Sequence, residues 1–93
     1  MPERRNVQIK GFVQGVFFRE TVREIAMRYN VHGFVRNVGH NIVEIEAEGD
    51  PDVVRAFIGD VLAHPPPAAR VEDVRSTASP ALGERGFSVE PSV

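Results

Sequence analysis

Apolar and polar residues alternate along Val7-Gln8-Ile9-Lys10-Gly11-Phe12-Val13, the period of a strand with one packed face. The period then lengthens. Between Glu20 and Asn30, Val22, Ile25, Ala26 and Tyr29 recur at i, i+3, i+4 and i+7, which predicts an amphipathic helix closed by Asn30 and Gly33. Its start is open between Arg19 and a capping box at Thr21-x-x-Glu24. Strands are expected at His32 to Val38 and Asn41 to Glu48, joined by the short turn Gly39-His40-Asn41. In the second of these, Val43, Ile45 and Ala47 point one way and Glu44, Glu46 and Glu48 the other, so one face is expected packed and the opposite face wet. Asp50 and Pro51 open a second helix as N-cap and first residue, with Val54, Phe57, Ile58, Val61 and Leu62 as its apolar stripe. His64-Pro65-Pro66-Pro67 ends it. A strand near Ala69 to Ser76, a loop from Ser79 to Glu84 and a short strand from Arg85 to Glu90 complete the chain.

The order β-α-β-β-α-β plus a short extra C-terminal strand predicts a ferredoxin-like α+β sandwich, an antiparallel sheet with two helices on one face. The 93 residues are expected to form one domain, without repeats or linkers. Such a fold hosts many functions and identifies none.

Composition narrows the chemistry. With no cysteine in the chain, disulfides and a thiolate nucleophile are both excluded. A net charge of −2 gives no electrostatic grip on nucleic acid or an acidic membrane. Arg4, Arg5 and Lys10 read as a solvated N-terminus. No apolar run nears the ~20 residues that span a bilayer, so the expected location is the cytoplasm, and with no exposed apolar stripe calling for a partner the expected state is a monomer. His32, His40 and His64 lie on separate elements without metal-ligand spacing, and neither a metal nor another cofactor is expected.

The candidate chemistry sits in Gln14-Gly15-Val16-Phe17-Phe18-Arg19, between the first strand and the first helix. A loop entering a helix aims unpaired backbone N–H groups at one spot, where the helix dipole favours an anion. Gly15 permits a tight turn, and Arg19 offers a planar fork suited to phosphate oxygens. Taken alone, the same pattern describes an ordinary connection with a solvated arginine.

Two further segments, Gly33-Phe34-Val35-Arg36-Asn37 and then Val43-Glu44-Ile45-Glu46-Ala47-Glu48-Gly49, agree with the functional alternative by their order and spacing. Gly11-Phe12-Val13-Gln14-Gly15-Val16-Phe17-Phe18-Arg19 and Gly33-Phe34-Val35-Arg36-Asn37, in this order, resemble the two signatures of the acylphosphatase family, and the likeness runs from about Val7 to Val74. That resemblance implies hydrolysis of carboxyl–phosphate anhydrides, with phosphate held by residues Gln14, Gly15, Val16, Phe17 and Phe18 and by Arg19. It gives Asn37 the role of holding the attacking water. The leaving carboxylate needs no general acid, and an amide carbonyl orients water without basicity. Phe17 stands where relatives often carry glycine; Phe18 reads as core. Arg36 is expected on the opposite strand face, solvated.

Other readings are open at this level. An RNA-recognition module is opposed by Glu44, Glu46 and Glu48 on the open sheet face. Related domains also occur fused to a carbamoyl-transferring factor, whereas these 93 residues read as a free-standing enzyme acting on a small-molecule acyl phosphate. A catalytically silent interaction module is the remaining alternative.

Overall fold

The computed structural model describes residues 1–93. Its elements are β1 (Glu3–Phe12), α1 (Phe18–Ala26), β2 (His32–Val38), β3 (Ile42–Gly49), α2 (Pro51–Ala63), β4 (Arg70–Ser79) and β5 (Phe87–Val89). They build one sheet in the order β4-β1-β3-β2-β5, with both helices packed on one face. Each neighbouring pair among the four long strands is antiparallel, while β5 runs parallel to β2, so the sheet is mixed.

The core follows the two periods of the sequence. Val7, Ile9, Val35, Val43, Ile45 and Ala47 line the helix side of the sheet, and Val22, Ile25, Val54, Phe57 and Val61 face them from the helices. Phe57 anchors the centre, edge-on to Tyr29 at 5.9 Å and to Phe87 at 5.6 Å. Leu62, counted with the apolar stripe of α2, is instead 38% exposed.

Several boundaries move, each for a local reason. β1 begins at Glu3 rather than Val7, because Arg4 and Arg5 pair with β3 and β4 and carry the ladder to its end. α1 starts at Phe18 without the capping box, and the Thr21 hydroxyl donates back to the Phe17 carbonyl at 3.0 Å. It ends at Ala26 rather than Asn30, since the amides of Arg28 and Tyr29 bond three residues back and tighten the chain out of the helix. Tyr29 still reaches the core side and donates to Asp60 of α2 at 2.9 Å. Asp50 occupies the N-cap of α2, yet its side chain makes no capping bond.

The largest departure is on the face away from the helices. Glu44, Glu46 and Glu48 are buried, not solvated, and so is Arg4. Arg4 pairs with Glu46, with Glu48 at 3.2 Å and with Glu84 at 2.6 Å. Asn6 and Gln8 donate to Glu44, Asn6 and Ser79 to Glu46, and Arg36 closes on Glu44 at 2.6 Å. Arg36 lies on the face opposite Asn37, as its position in β2 requires, but it is held by that pair and by the Phe34 ring 5.0 Å beneath it. Glu48 also accepts the amides of Leu82 at 2.7 Å and Gly83 at 2.9 Å, fastening the β4–β5 connection over this face.

Candidate phosphate-binding site

Between Lys10 and Gly11 the β1–β4 register slips in a bulge, beyond which Gly11 and Phe12 still pair with β4 before the chain leaves the sheet. Gly11 is required there: a Cβ would stand 2.0 Å from the Arg70 carbonyl oxygen. The loop that follows carries two left-handed residues, Gly15 at φ 73° and Phe17 at φ 64°, on either side of Val16. For Gly15 this costs nothing, whereas Phe17 is the one non-glycine residue in the chain at positive φ, at a cost of roughly 1–2 kcal/mol.

This path leaves the amides of residues 15 to 20 without a partner. None of them donates to a backbone carbonyl or a side chain, and the first amide with an acceptor is that of Thr21, on Phe17. Successive free amides at the positive end of α1 form a concave anion receptor. Arg19, half-buried in the first turn of the helix, pairs with no carboxylate, so its guanidinium is free to meet an anion.

Asn37 arrives from the last turn of residues on β2, on the helix side of the sheet. It is 8% exposed, and its Oδ1 is the single buried side-chain polar atom without a hydrogen-bond partner. A buried acceptor left open is costly to a fold and calls for a ligand or water. Its own backbone is fixed on both sides: it faces Val43 on β3, and its carbonyl accepts the Val93 amide at 3.0 Å.

These parts meet in the largest surface cavity, about 430 Å³, lined by Val13, Gly15, Phe17, Phe18, Arg19, Glu20 and Asn37. Of the residues expected at the site, Gly15, Phe17, Phe18, Arg19 and Asn37 are therefore together. Gln14 and Val16 contribute differently. Val16 is buried in the core cluster. The Gln14 side chain turns toward the β2–β3 hairpin, where its amide lies 3.3, 3.2 and 2.9 Å from the carbonyls of Val38, Gly39 and Ile42. It ties the loop to the strand that bears Asn37. Phe18 is core, as expected, and Phe17 is 80% exposed at the rim. Glu20 was missed; its place beside Arg19 in the first helical turn was the available signal.

The arrangement can hold a tetrahedral anion on amides and a guanidinium, and can orient one water beside it. The family model for acylphosphatase matches residues 5–89. An acylphosphatase of Pyrobaculum islandicum is 44% identical over 92 residues, covering 97% of this chain and 96% of its own. A crystal structure of acylphosphatase from Bacillus subtilis superimposes with a TM-score of 0.87 at 33% identity, covering 97% of this chain and 99% of that one. Full-length HypF in its phosphate- and nucleotide-bound form matches with a TM-score of 0.93 at 30% identity, over 99% of this chain but 12% of HypF.

Proposed function

Since the chain belongs to the acylphosphatase family, hydrolases of the carboxyl–phosphate anhydride, we propose that its 14–19 loop and Arg19 hold the phosphate while Asn37 holds the attacking water. One observation carries this: Asn37, whose buried Oδ1 has no hydrogen-bond partner, lines the same cavity as Gly15 and Arg19. In the proposed step, water donates one hydrogen bond to Asn37 Oδ1 and directs a lone pair at phosphorus. The new P–O bond forms in line with the breaking bond to the acyl oxygen, and the pair from that bond leaves on the carboxylate. The proton of the attacking water passes to a phosphate oxygen. A carboxylate is stable as an anion at neutral pH, so the protein needs no general acid. The amides and Arg19 act on the charge of the equatorial oxygens, the larger electrostatic demand of phosphoryl transfer.

We further propose that residues 1–93 work as a single domain, monomeric and cytoplasmic, on a free small-molecule acyl phosphate, without a cofactor. Light scattering of the purified chain and cell fractionation test the assembly state and the location.

The site is tested by hydrolysis of benzoyl phosphate with chelator present. Arg19→Ala is expected to lower kcat/KM by about 10²–10³-fold with a raised KM, as loss of a charge-stabilising donor does. Asn37→Ala is expected to lower kcat by about 10²-fold with KM little changed, as loss of positioning does. Either variant folded and fully active overturns its assigned role. A folded wild type inactive on acyl phosphates favours the silent interaction module.

A further inference from the structure

We infer, resting on the site reading above, that Phe17 and Glu20 determine acyl selectivity, favouring acyl phosphates whose acyl group is aromatic or bulky, apolar and uncharged. The backbone at residue 17 serves the loop through a left-handed conformation that glycine adopts freely, yet this chain places a phenylalanine there. The ring does not offset that strain by burial, because it is 80% exposed. A side chain that is strained and wet contributes little to folding, and its position on the cavity gives it a ligand to meet.

The depth profile of the cavity says which part of the substrate it meets. Val13 at 1%, Phe18 at 2% and Asn37 at 8% exposure form the floor, the end at which the site reading puts the water and the phosphate. Phe17, Gly15 and Glu20 are exposed and form the rim. With the phosphate on the amides, the acyl group leaves toward that rim and lies against the phenyl face. A benzoyl group stacks there; an acetyl group is too small to cover the ring. The volume of about 430 Å³ leaves room for an acyl group beside the phosphate.

Glu20 adds the charge criterion. It stands on the same rim, exposed and without a cationic partner, one residue from Arg19. A second carboxylate on the acyl chain meets a like charge there, a repulsion that salt screens.

The test compares kcat/KM for benzoyl, acetyl and succinyl phosphate in wild type, Phe17→Gly, Phe17→Tyr and Glu20→Gln. Phe17→Gly is expected to reduce the benzoyl-to-acetyl ratio by roughly 3- to 10-fold, the size of one aromatic contact, and Phe17→Tyr to retain it. Because acetyl phosphate reports any general change in the loop, the ratio isolates the ring. Glu20→Gln is expected to raise succinyl relative to benzoyl phosphate by roughly 2- to 5-fold at low salt, with the gain shrinking at high salt. An unaltered ratio in Phe17→Gly, whatever the absolute rates, assigns the ring to loop shape and overturns its part of the inference. An unaltered succinyl-to-benzoyl ratio in Glu20→Gln overturns the charge criterion. A wild type idle on all three substrates overturns the site reading itself, a result distinct from both.

Discussion

Gly33 shows how much a single residue can fix. At φ 145°, a Cβ there would lie 2.0 Å from the Glu46 carbonyl oxygen and 2.8 Å from its carbon. Backbone, not a movable side chain, occupies the space. Gly33→Ala is expected to cost about 3 kcal/mol or more, read as a fall in the denaturation midpoint, because β2 must part from β3 to admit a methyl group. Denaturation unchanged within error would refute this close approach. Gly33 was legible as a signature residue while its contact with β3 was not, whereas Arg19 and Asn37 were legible as candidates for the chemistry. Arg19 and Asn37 carry their capacity in their functional groups, and their place in two signatures brought them to one site. Phe17 was legible as a residue where glycine is common, but only the φ of 64° gives the reason. Gln14 was read as part of the phosphate loop, and its side chain also bonds to the hairpin. Nothing in its identity distinguishes the two uses.

At the scale of elements, alternation gave β3 its two faces but not the fate of the second. Glu44, Glu46 and Glu48 read as solvated because their partners lie elsewhere in the chain: Arg4, Asn6 and Gln8 on β1, Arg36 on β2, and the amides of Leu82 and Gly83. Only the strand register brings them together. Burial works to raise the Glu44 carboxyl, but the bonds from Asn6, Arg36 and Gln8 outweigh it and hold it below the ordinary 4.5. Glu48 is lowered first by the Leu82 amide and then by Gly83 and Arg4, against the effect of burial. Burial also disfavours the charged Arg4, yet its three carboxylate partners raise it overall.

Both carboxyls therefore bind protons less readily in the folded chain than in the unfolded one. Their contribution to stability is whole above the unfolded value near 4.5 and is lost as pH falls through the folded values beneath it. Wild type is expected to lose stability between pH 5 and pH 3, and Glu48→Gln to be less stable at pH 7 but with a shallower decline, both read from urea midpoints (about 5 and 3 being the span where carboxyls titrate). Parallel declines in the two proteins would exclude Glu48 from acid sensitivity. The same bonds fasten the connection leading to β5, which pairs with β2 beside Val35. Acid loosening should thus reach the strand that carries Asn37.

For the whole molecule, the order β4-β1-β3-β2-β5 decides how the site is assembled. The 14–19 loop follows β1 and Asn37 is the penultimate residue of β2, and β3 stands between those strands. The two parts of the candidate site are therefore not hydrogen-bonded neighbours in the sheet. Topology was legible from the sequence of periods, while the parallel direction of β5 was not, because three residues of strand carry too little pattern to orient it. Family membership comes from nearly the whole chain, yet the candidate site occupies one loop and one strand end.

Across that gap runs the Gln14 amide, reaching the carbonyls of Val38, Gly39 and Ile42. Those bonds are few and partly exposed, whereas the fold rests on a buried cluster of 17 residues. Heating should separate the two. Removing the tie in Gln14→Ala is expected to lower the temperature of half-maximal activity further than the melting temperature by circular dichroism, since a shift of about 1 Å in a positioning group can cost about 10²-fold in rate. Equal shifts of both temperatures would show that the loop keeps its place without the side chain. On that expectation, turnover in this protein has a thermal ceiling of its own, set by one amide group and lower than the ceiling of the fold that carries it.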